Sequence, residues 1–215
     1  DLLVALDDFR DRKCFLFDMD GLIFDTEQLF MEQLAVAMAD RGYHLTREVY
    51  IHTLGMGGEL LKKYMLEIYG EKYPFAECSQ EAQRRVTQIA EDVGLRVKSQ
   101  IRDALARLAC WDKICAVASS TSSEYVRKYL RVVGLEGYFG EIIGGEMVTK
   151  TKPEPEIFLL ACDRCGVAPE ETVVIEDSEN GIRAAHAAGT GTICVPDLVQ
   201  PSPEVCAWID ALVKR

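Results

Sequence analysis

Two carboxylates, Asp18 and Asp20, stand two residues apart in Asp18-Met19-Asp20-Gly21, directly after the apolar run Cys14-Phe15-Leu16-Phe17. An apolar run of this length suits a buried strand. Acids at its end put charge at the carboxyl edge of a sheet, where ligands bind in open α/β folds. The two-residue spacing sends both side chains the same way if strand geometry continues, and Gly21 permits the sharp turn that leaves the strand. In isolation the same residues also read as an acidic turn, so the other motifs decide.

Three further groups fall after apolar runs of strand type. Ser119-Ser120-Thr121 offers hydroxyls and backbone N–H groups at a helix start, an arrangement that suits a phosphate; helix capping alone would use the same residues. Lys150-Thr151-Lys152-Pro153-Glu154-Pro155 places Lys152 directly before Pro153, which stiffens the entry, with Pro155 fitting the first turn of the next helix, although most lysines are simply solvated. Glu176-Asp177-Ser178 ends the run Val173-Val174-Ile175. Two adjacent carboxylates beside a buried strand are costly without a cation. Mg²⁺ takes oxygen ligands and keeps room for substrate phosphate oxygens, whereas a helix N-terminus alone also favours acids.

The elements that must position these groups alternate in type. Strand-like runs cover residues 14–17, 114–118, 141–143, 172–175 and 192–195, and helical segments cover 122–133, 154–165 and 178–188. Such alternation implies parallel strands joined by right-handed crossovers. Gly134, Gly166 and Gly189 stand where three helices should stop. From residue 26 to about 93 the pattern is helical only. Phe30, Leu34, Ala37 and Met38 recur at helical spacing, as do Leu60, Leu61, Tyr64, Met65 and Ile68, and Asp25 with Gln28 resembles a capping box. An insertion of roughly 70 residues exceeds any ordinary crossover. The expected organisation is an α/β core from 1–25 and 95–215 and a helical cap from 26–94, set above the carboxyl edge and movable on linkers near Gly21 and Gly94.

Composition narrows the class. Of 215 residues, 48% are hydrophobic and 27% charged, which is ordinary for a globular chain. No apolar run approaches a membrane span, and Leu2-Leu3-Val4-Ala5-Leu6 is too short for a signal peptide. The net charge of −11 argues against nucleic acid as a partner, but a metal ion and a lysine can reverse the local sign for an anionic metabolite. Eight cysteines are present; Cys14, Cys115 and Cys194 sit in apolar runs as small hydrophobes. The Cys162/Cys165 pair lies on a helical segment with no second such pair. A reduced, cytoplasmic chain follows. His44, His52 and His186 match no ligand spacing, and oligomeric state is not encoded in any pattern here.

Taken jointly the motifs resemble the haloacid dehalogenase superfamily, in its capped phosphatase and phosphomutase branch, over nearly the whole chain. Asp18-Met19-Asp20-Gly21 with Asp25-Thr26 resembles the first motif, Ser119 the second, Lys152 with Pro153 and Pro155 the third, and Glu176-Asp177 the fourth. The string from Ile175 through Gly181-Ile182 to Ala187-Ala188-Gly189 is highly specific. The resemblance implies a Rossmann-like parallel sheet with helices on both faces and an inserted helical cap. It implies Asp18 as nucleophile and Asp20 as general acid and base. Ser119, Ser120 and Lys152 would bind the phosphoryl group. Mg²⁺ would be held by Asp18, the Asp20 carbonyl and Asp177, with Glu176 direct or through water. An acid at position 20 favours phosphate chemistry over halide release.

The resulting expectation is an Mg²⁺-dependent phosphatase for a small phosphorylated metabolite, such as a sugar phosphate or phosphoglycolate, working through an aspartyl-phosphate. A β-phosphoglucomutase-type mutase shares that intermediate. Phe30 stands where the mutase resemblance would place a histidine, and Gly58 where it would place an arginine, counting from Gly55. Phe30, Met56, Gly57 and Gly58 are the cap candidates for contacting substrate; Phe30, Met31 and Met56 would line an apolar wall there, although packing in the cap core is the favoured use for these three. A phosphate-responsive receiver also gathers aspartates, a hydroxyl and a lysine, but lacks the helical insertion.

Overall fold

The computed structural model describes residues 1–54, 56 and 58–213. Gly55 and Gly57 lie outside the described residues. The chain divides into two compact units, one of Asp1–Asp25 with Gly94–Arg215 and one of Thr26–Val93.

The first unit is built on a parallel sheet. Among the described residues its strands are β1 (Cys14–Phe17), β2 (Ile114–Ala118), β3 (Glu141–Ile143), β4 (Thr172–Glu176), β5 (Gly191–Cys194) and β6 (Ala211–Leu212). Their order is β3-β2-β1-β4-β5-β6, and every pairing is parallel. Strand order therefore reverses direction between β1 and β4, the switch point at which such sheets open a crevice at their carboxyl ends. β1 lies between β2 and β4 in matched register, with Phe17 opposite both Val117 and Ile175. The residues that follow these three strands must consequently meet.

The helices are α1 (Leu2–Asp7), α2 (Thr26–Ala39), α3 (Arg47–Thr53), α4 (Gly58–Tyr69), α5 (Phe75–Asp92), α6 (Ile101–Cys110), α7 (Ser123–Val132), α8 (Glu156–Cys165), α9 (Glu179–Ala188) and α10 (Pro203–Cys206). Successive strand residues face opposite sides. Cys14 and Leu16 accordingly join Ala116, Ala118 and Val174 in a core with Phe158 and Ala161 of α8 and Ala184 and Ala185 of α9. α6 and α7 pack on β2 and β3, respectively, and α1 on α6. Ser178 caps α9 by accepting from Gly181 N at 3.1 Å. Gly134, Gly166 and Gly189 take the left-handed conformation at the expected stops.

The strand β6 escaped the sequence reading because two residues cannot display a period. β5 begins and ends one residue earlier than the pattern suggested. Pro155 occupies the N-cap of α8 rather than its first turn. The apolar start of the chain is α1, which buries Leu2, Ala5 and Leu6.

In the second unit α2 packs along α5. Leu34, Ala37 and Met38 are buried, as expected from their spacing. The α4 stripe differs: Met65 is buried, but Leu60 and Ile68 are exposed. The capping box is not made. Asp25 N donates to Arg96 O at 3.0 Å, and the Gln28 amide donates to Glu32 while accepting from Arg47. The segments leading out of and back into the first unit pair with one another: Phe24 bridges Val97 in antiparallel fashion, and Lys98 N donates to Ile23 O at 2.9 Å.

Candidate active site

Lys152 gathers the carboxyl ends of the three central strands. Its Nζ donates to Asp18 Oδ1 at 2.6 Å, to Glu176 Oε1 at 2.8 Å and to Ala118 O at 3.2 Å. All three ammonium protons are thereby directed. Asp18 follows β1, Ala118 ends β2 and Glu176 ends β4. The ammonium also lies 4.9 Å from the centre of the Phe158 ring, a favourable cation–π distance. The loop carrying Lys152 is clamped by Glu156, which accepts from Thr149 N at 2.9 Å and Lys150 N at 2.8 Å.

The carboxylates around Lys152 are not equivalent. Glu176 is 1% exposed. Its Oε2 accepts from Asp177 N, Ser178 N and Ser178 Oγ, each at 2.9 Å. Burial opposes its ionisation, but Lys152 and the Ser178 donors prevail and hold its pKa below the usual range. Asp18 has fewer donors. Burial pushes its pKa up to about 8, against the pull of Lys152, with the charges of Glu176 and Asp20 adding to the rise. Burial likewise raises Asp177 well above its ordinary value, reinforced by Glu176, Asp18 and Asp197. Burial disfavours charge on Lys152, yet Asp18 and Glu176 outweigh it and hold the ammonium charged.

The Lys152 ammonium thus serves two buried carboxylates. Asp18, Glu176 and Asp177 offer oxygen atoms that all lie within 4.8 Å of one another. A hard divalent cation fits such an all-oxygen set, and it would offset the burial and like charges that raise Asp18 and Asp177.

Two glycines make the arrangement possible. Gly21 has φ +78, and a Cβ there would fall 2.2 Å from Asp177 Oδ2. A Cβ on Gly181 would fall 1.8 Å from the Glu176 carboxyl group. Nothing in sequence spacing separates Gly181 from an ordinary helix glycine. Lys98 and Asp197 were also missed: Lys98 Nζ donates to Gly21 O at 2.7 Å and to the buried Asp197 carboxylate. They tie the loop after β1 to the loop after β5, and only folding reveals it.

Ser119 is fully buried and continues the β2 ladder, donating its N–H to Ile143 O at 3.0 Å. Its Oγ accepts from Thr121 N at 3.1 Å. Ser120 is exposed. The N-terminus of α7 already has an anion: Glu146 accepts from Ser123 N at 3.0 and 3.1 Å and from the Ser123 hydroxyl. Asp20 turns to Thr121, whose hydroxyl donates to Asp20 Oδ2 at 2.8 Å. Phe30 and Met56 are half-buried in the second unit, with the Phe30 ring 6.5 Å from that of Tyr50. Gly57 lies outside the described residues, and Gly58 opens α4. Cys162 is buried in the apolar core beside α9, with Cys165 packed against that core.

A family model described as haloacid dehalogenase-like hydrolase matches residues 15–195. The phosphorylated carbohydrates phosphatase of Thermotoga maritima is 33% identical over 177 residues, covering 81% of this chain and 80% of that protein. The phosphoglycolate phosphatase of Aliivibrio fischeri is 30% identical over 187 residues, covering 84% and 82%. The crystal structure of a candidate β-phosphoglucomutase from Thermotoga maritima superposes with a TM-score of 0.78 at 28% identity, covering 94% of each chain.

Two outcomes are expected. Helix propensity alone would make Gly181→Ala stabilising by about 1 kcal/mol. The collision with Glu176 reverses that sign, so urea unfolding should show a loss of about 1–3 kcal/mol, typical of overpacking, together with reduced turnover. A more stable, fully active variant would contradict the fixed place of Glu176. The second outcome concerns pH. Asp18 and Asp177 hold protons in the folded, metal-free protein to higher pH than in the unfolded chain. Both contributions to stability are present below about pH 4; that of Asp18 is lost toward about pH 8, and that of Asp177 is lost as pH rises through its own raised value. Glu176 acts in the opposite sense, its contribution being lost on acidification below its ordinary range. In chelator, Tm should therefore fall between about pH 5 and pH 8, and added Mg²⁺ should raise it more at the higher pH. A larger Mg²⁺ effect at the lower pH would contradict the assignment.

Proposed function

The chain belongs to the haloacid dehalogenase-like hydrolase family, and we propose that it is a phosphoric monoester hydrolase that forms an aspartyl-phosphate on Asp18 while hydrolysing a small phosphorylated metabolite. The observation that carries this reading is the buried ammonium of Lys152 shared between Asp18 and Glu176. It holds one carboxylate at the reacting edge and keeps a positive charge where a phosphoryl group must arrive. The phosphatase names of the relatives from Thermotoga maritima and Aliivibrio fischeri support the same reaction class and a sugar-phosphate or phosphoglycolate-like substrate.

Asp18 attacks phosphorus, and the bond from phosphorus to the leaving oxygen breaks. Asp20 delivers a proton to that oxygen. Asp20, now a carboxylate, takes a proton from water, whose oxygen attacks phosphorus and releases Asp18 and inorganic phosphate. Splitting the displacement in two makes each step easier. Ser119 and Lys152 hold phosphoryl oxygens, with the Ser120 amide assisting. The 3.2 Å bond from Lys152 to Ala118 O is the longest of its three, and we assign it as the one exchanged for a phosphoryl oxygen.

Asp18, Asp177 and the Asp20 carbonyl are the groups that would hold Mg²⁺. Glu176 already has Lys152 on one oxygen and three donors on the other, which favours contact with the ion through water. When bound, the ion neutralises charge between the carboxylates and the phosphoryl group. The unit Thr26–Val93 is assigned as the cap that selects substrate. The eight cysteines are free, which suits a cytoplasmic setting; among the described residues no helix is long and apolar enough to cross a membrane.

With Mg²⁺ and an aryl phosphate, Asp18→Asn should lose turnover by about 10³-fold or more, because an amide cannot form the acyl-phosphate. Undiminished turnover by purified Asp18→Asn would refute the covalent mechanism. A mutase reading is kept open by the β-phosphoglucomutase neighbour. Against it, Phe30 has no ring nitrogen for proton transfer and Gly58 no cation for a second phosphate. Given β-glucose 1-phosphate and a bisphosphate primer, the protein should release inorganic phosphate far faster than it forms glucose 6-phosphate. The reverse ratio would promote the mutase.

A further inference from the structure

Thr121 has no role in the steps above, yet it is bonded to two groups that do. Its N–H donates to Ser119 Oγ at 3.1 Å, and its hydroxyl donates to Asp20 Oδ2 at 2.8 Å. Its carbonyl accepts from Gly145 N at 3.1 Å. Gly145 is itself closely seated, since a Cβ there would fall 2.1 Å from Ser120 O. The backbone of Thr121 is thus held from both sides, and its hydroxyl projects from a fixed point.

Asp20 is placed differently. It lies beyond the end of β1, half-buried, in the turn whose Gly21 N donates to Phe24 O at 2.9 Å. A carboxyl group on such a turn can rotate about two side-chain bonds, and proton transfer works only within hydrogen-bond reach of the reacting oxygen. One donor from a rigid neighbour selects a rotamer and occupies one of the two oxygens.

We propose that Thr121 is the positioning residue for Asp20, its hydroxyl fixing Oδ2 so that Oδ1 carries the proton to the leaving group and later takes one from water. This rests on the phosphatase reading given above. The same residue joins the phosphoryl-binding Ser119 to the acid, so that phosphoryl group and proton are delivered in one frame.

The test exploits the leaving group. A nitrophenolate departs without a proton, whereas an alkoxide needs one. kcat/KM reports the steps through cleavage of the phosphorus–oxygen bond, so it isolates the acid role. Wild type, Thr121→Val and Thr121→Ser are compared with Mg²⁺ on p-nitrophenyl phosphate and on benzyl phosphate. Valine keeps the shape and removes the hydroxyl; serine keeps the hydroxyl. Thr121→Val should lose about tenfold or more in kcat/KM on benzyl phosphate but no more than about threefold on p-nitrophenyl phosphate. Thr121→Ser should restore benzyl phosphate turnover to within about threefold of wild type. Equal losses on both substrates, no loss on benzyl phosphate, or failure of serine to restore it would overturn the proposal. Inactivity of the wild type on both phosphates, or full activity of Asp18→Asn, would instead remove the phosphatase reading, and the Thr121 proposal would fall with it.

Discussion

The charge on Lys152, buried between Asp18 and Glu176 with a bond to Ala118 O, is the constraint on which the site depends. An unpaired ammonium or carboxylate in this position would be costly. Each partner therefore holds the others: the three central strands must end level, and the loop before α8 must return to the same point. Glu156 secures that loop from below, and Gly181 leaves the space that the Glu176 carboxyl group fills. The network satisfies Glu176 and leaves Asp18 and Asp177 short of positive charge, a set of oxygens that could hold a divalent cation. The stability of the metal-free protein and its readiness for chemistry are set by the same imbalance.

Sheet topology converts distant sequence into this contact. Lys152 and Asp18 are 134 positions apart, but β1 lies between β2 and β4, and one further residue on each strand brings Asp18, Ala118 and Glu176 together. That much was legible, because buried parallel strands read as short apolar runs and their polar successors stand out by contrast. The helix stops at Gly134, Gly166 and Gly189 were legible for a similarly local reason. β6 was too short to show a pattern. The α4 stripe misled because helical spacing of Leu60 and Ile68 does not require a partner on that face. Gln28 was misassigned because a capping box is one of several uses for that amide, and Glu32 and Arg47 compete for it.

Within the site, the sequence identified the residue types that carry charge but not the ones that orient them. Thr121 was visible as a hydroxyl in a phosphate-like loop, and its bond to Asp20 spans 101 positions. Glu146 gave no signal, yet it occupies the start of α7 that the Ser119-Ser120-Thr121 pattern had offered to a phosphate. In the proposed reaction the hydroxyl of buried Ser119 and the Ser120 amide are therefore the donors this loop offers a phosphoryl group. Lys98 and Asp197 also act at long range, securing the Gly21 turn beside Asp177. Such contacts depend on which loops the strand order brings together, and no local spacing encodes them.

The central claim is that Asp18 becomes phosphorylated during turnover. The direct measurement is a single turnover with Mg²⁺ and an aryl phosphate, quenched in acid at successive early times, with the digested protein read by mass spectrometry. The expected result is a peptide containing Asp18 that transiently gains the mass of one phosphoryl group and loses it as inorganic phosphate accumulates. Release of phosphate with Asp18 unmodified throughout, or with the phosphoryl group on another residue, would contradict the assignment.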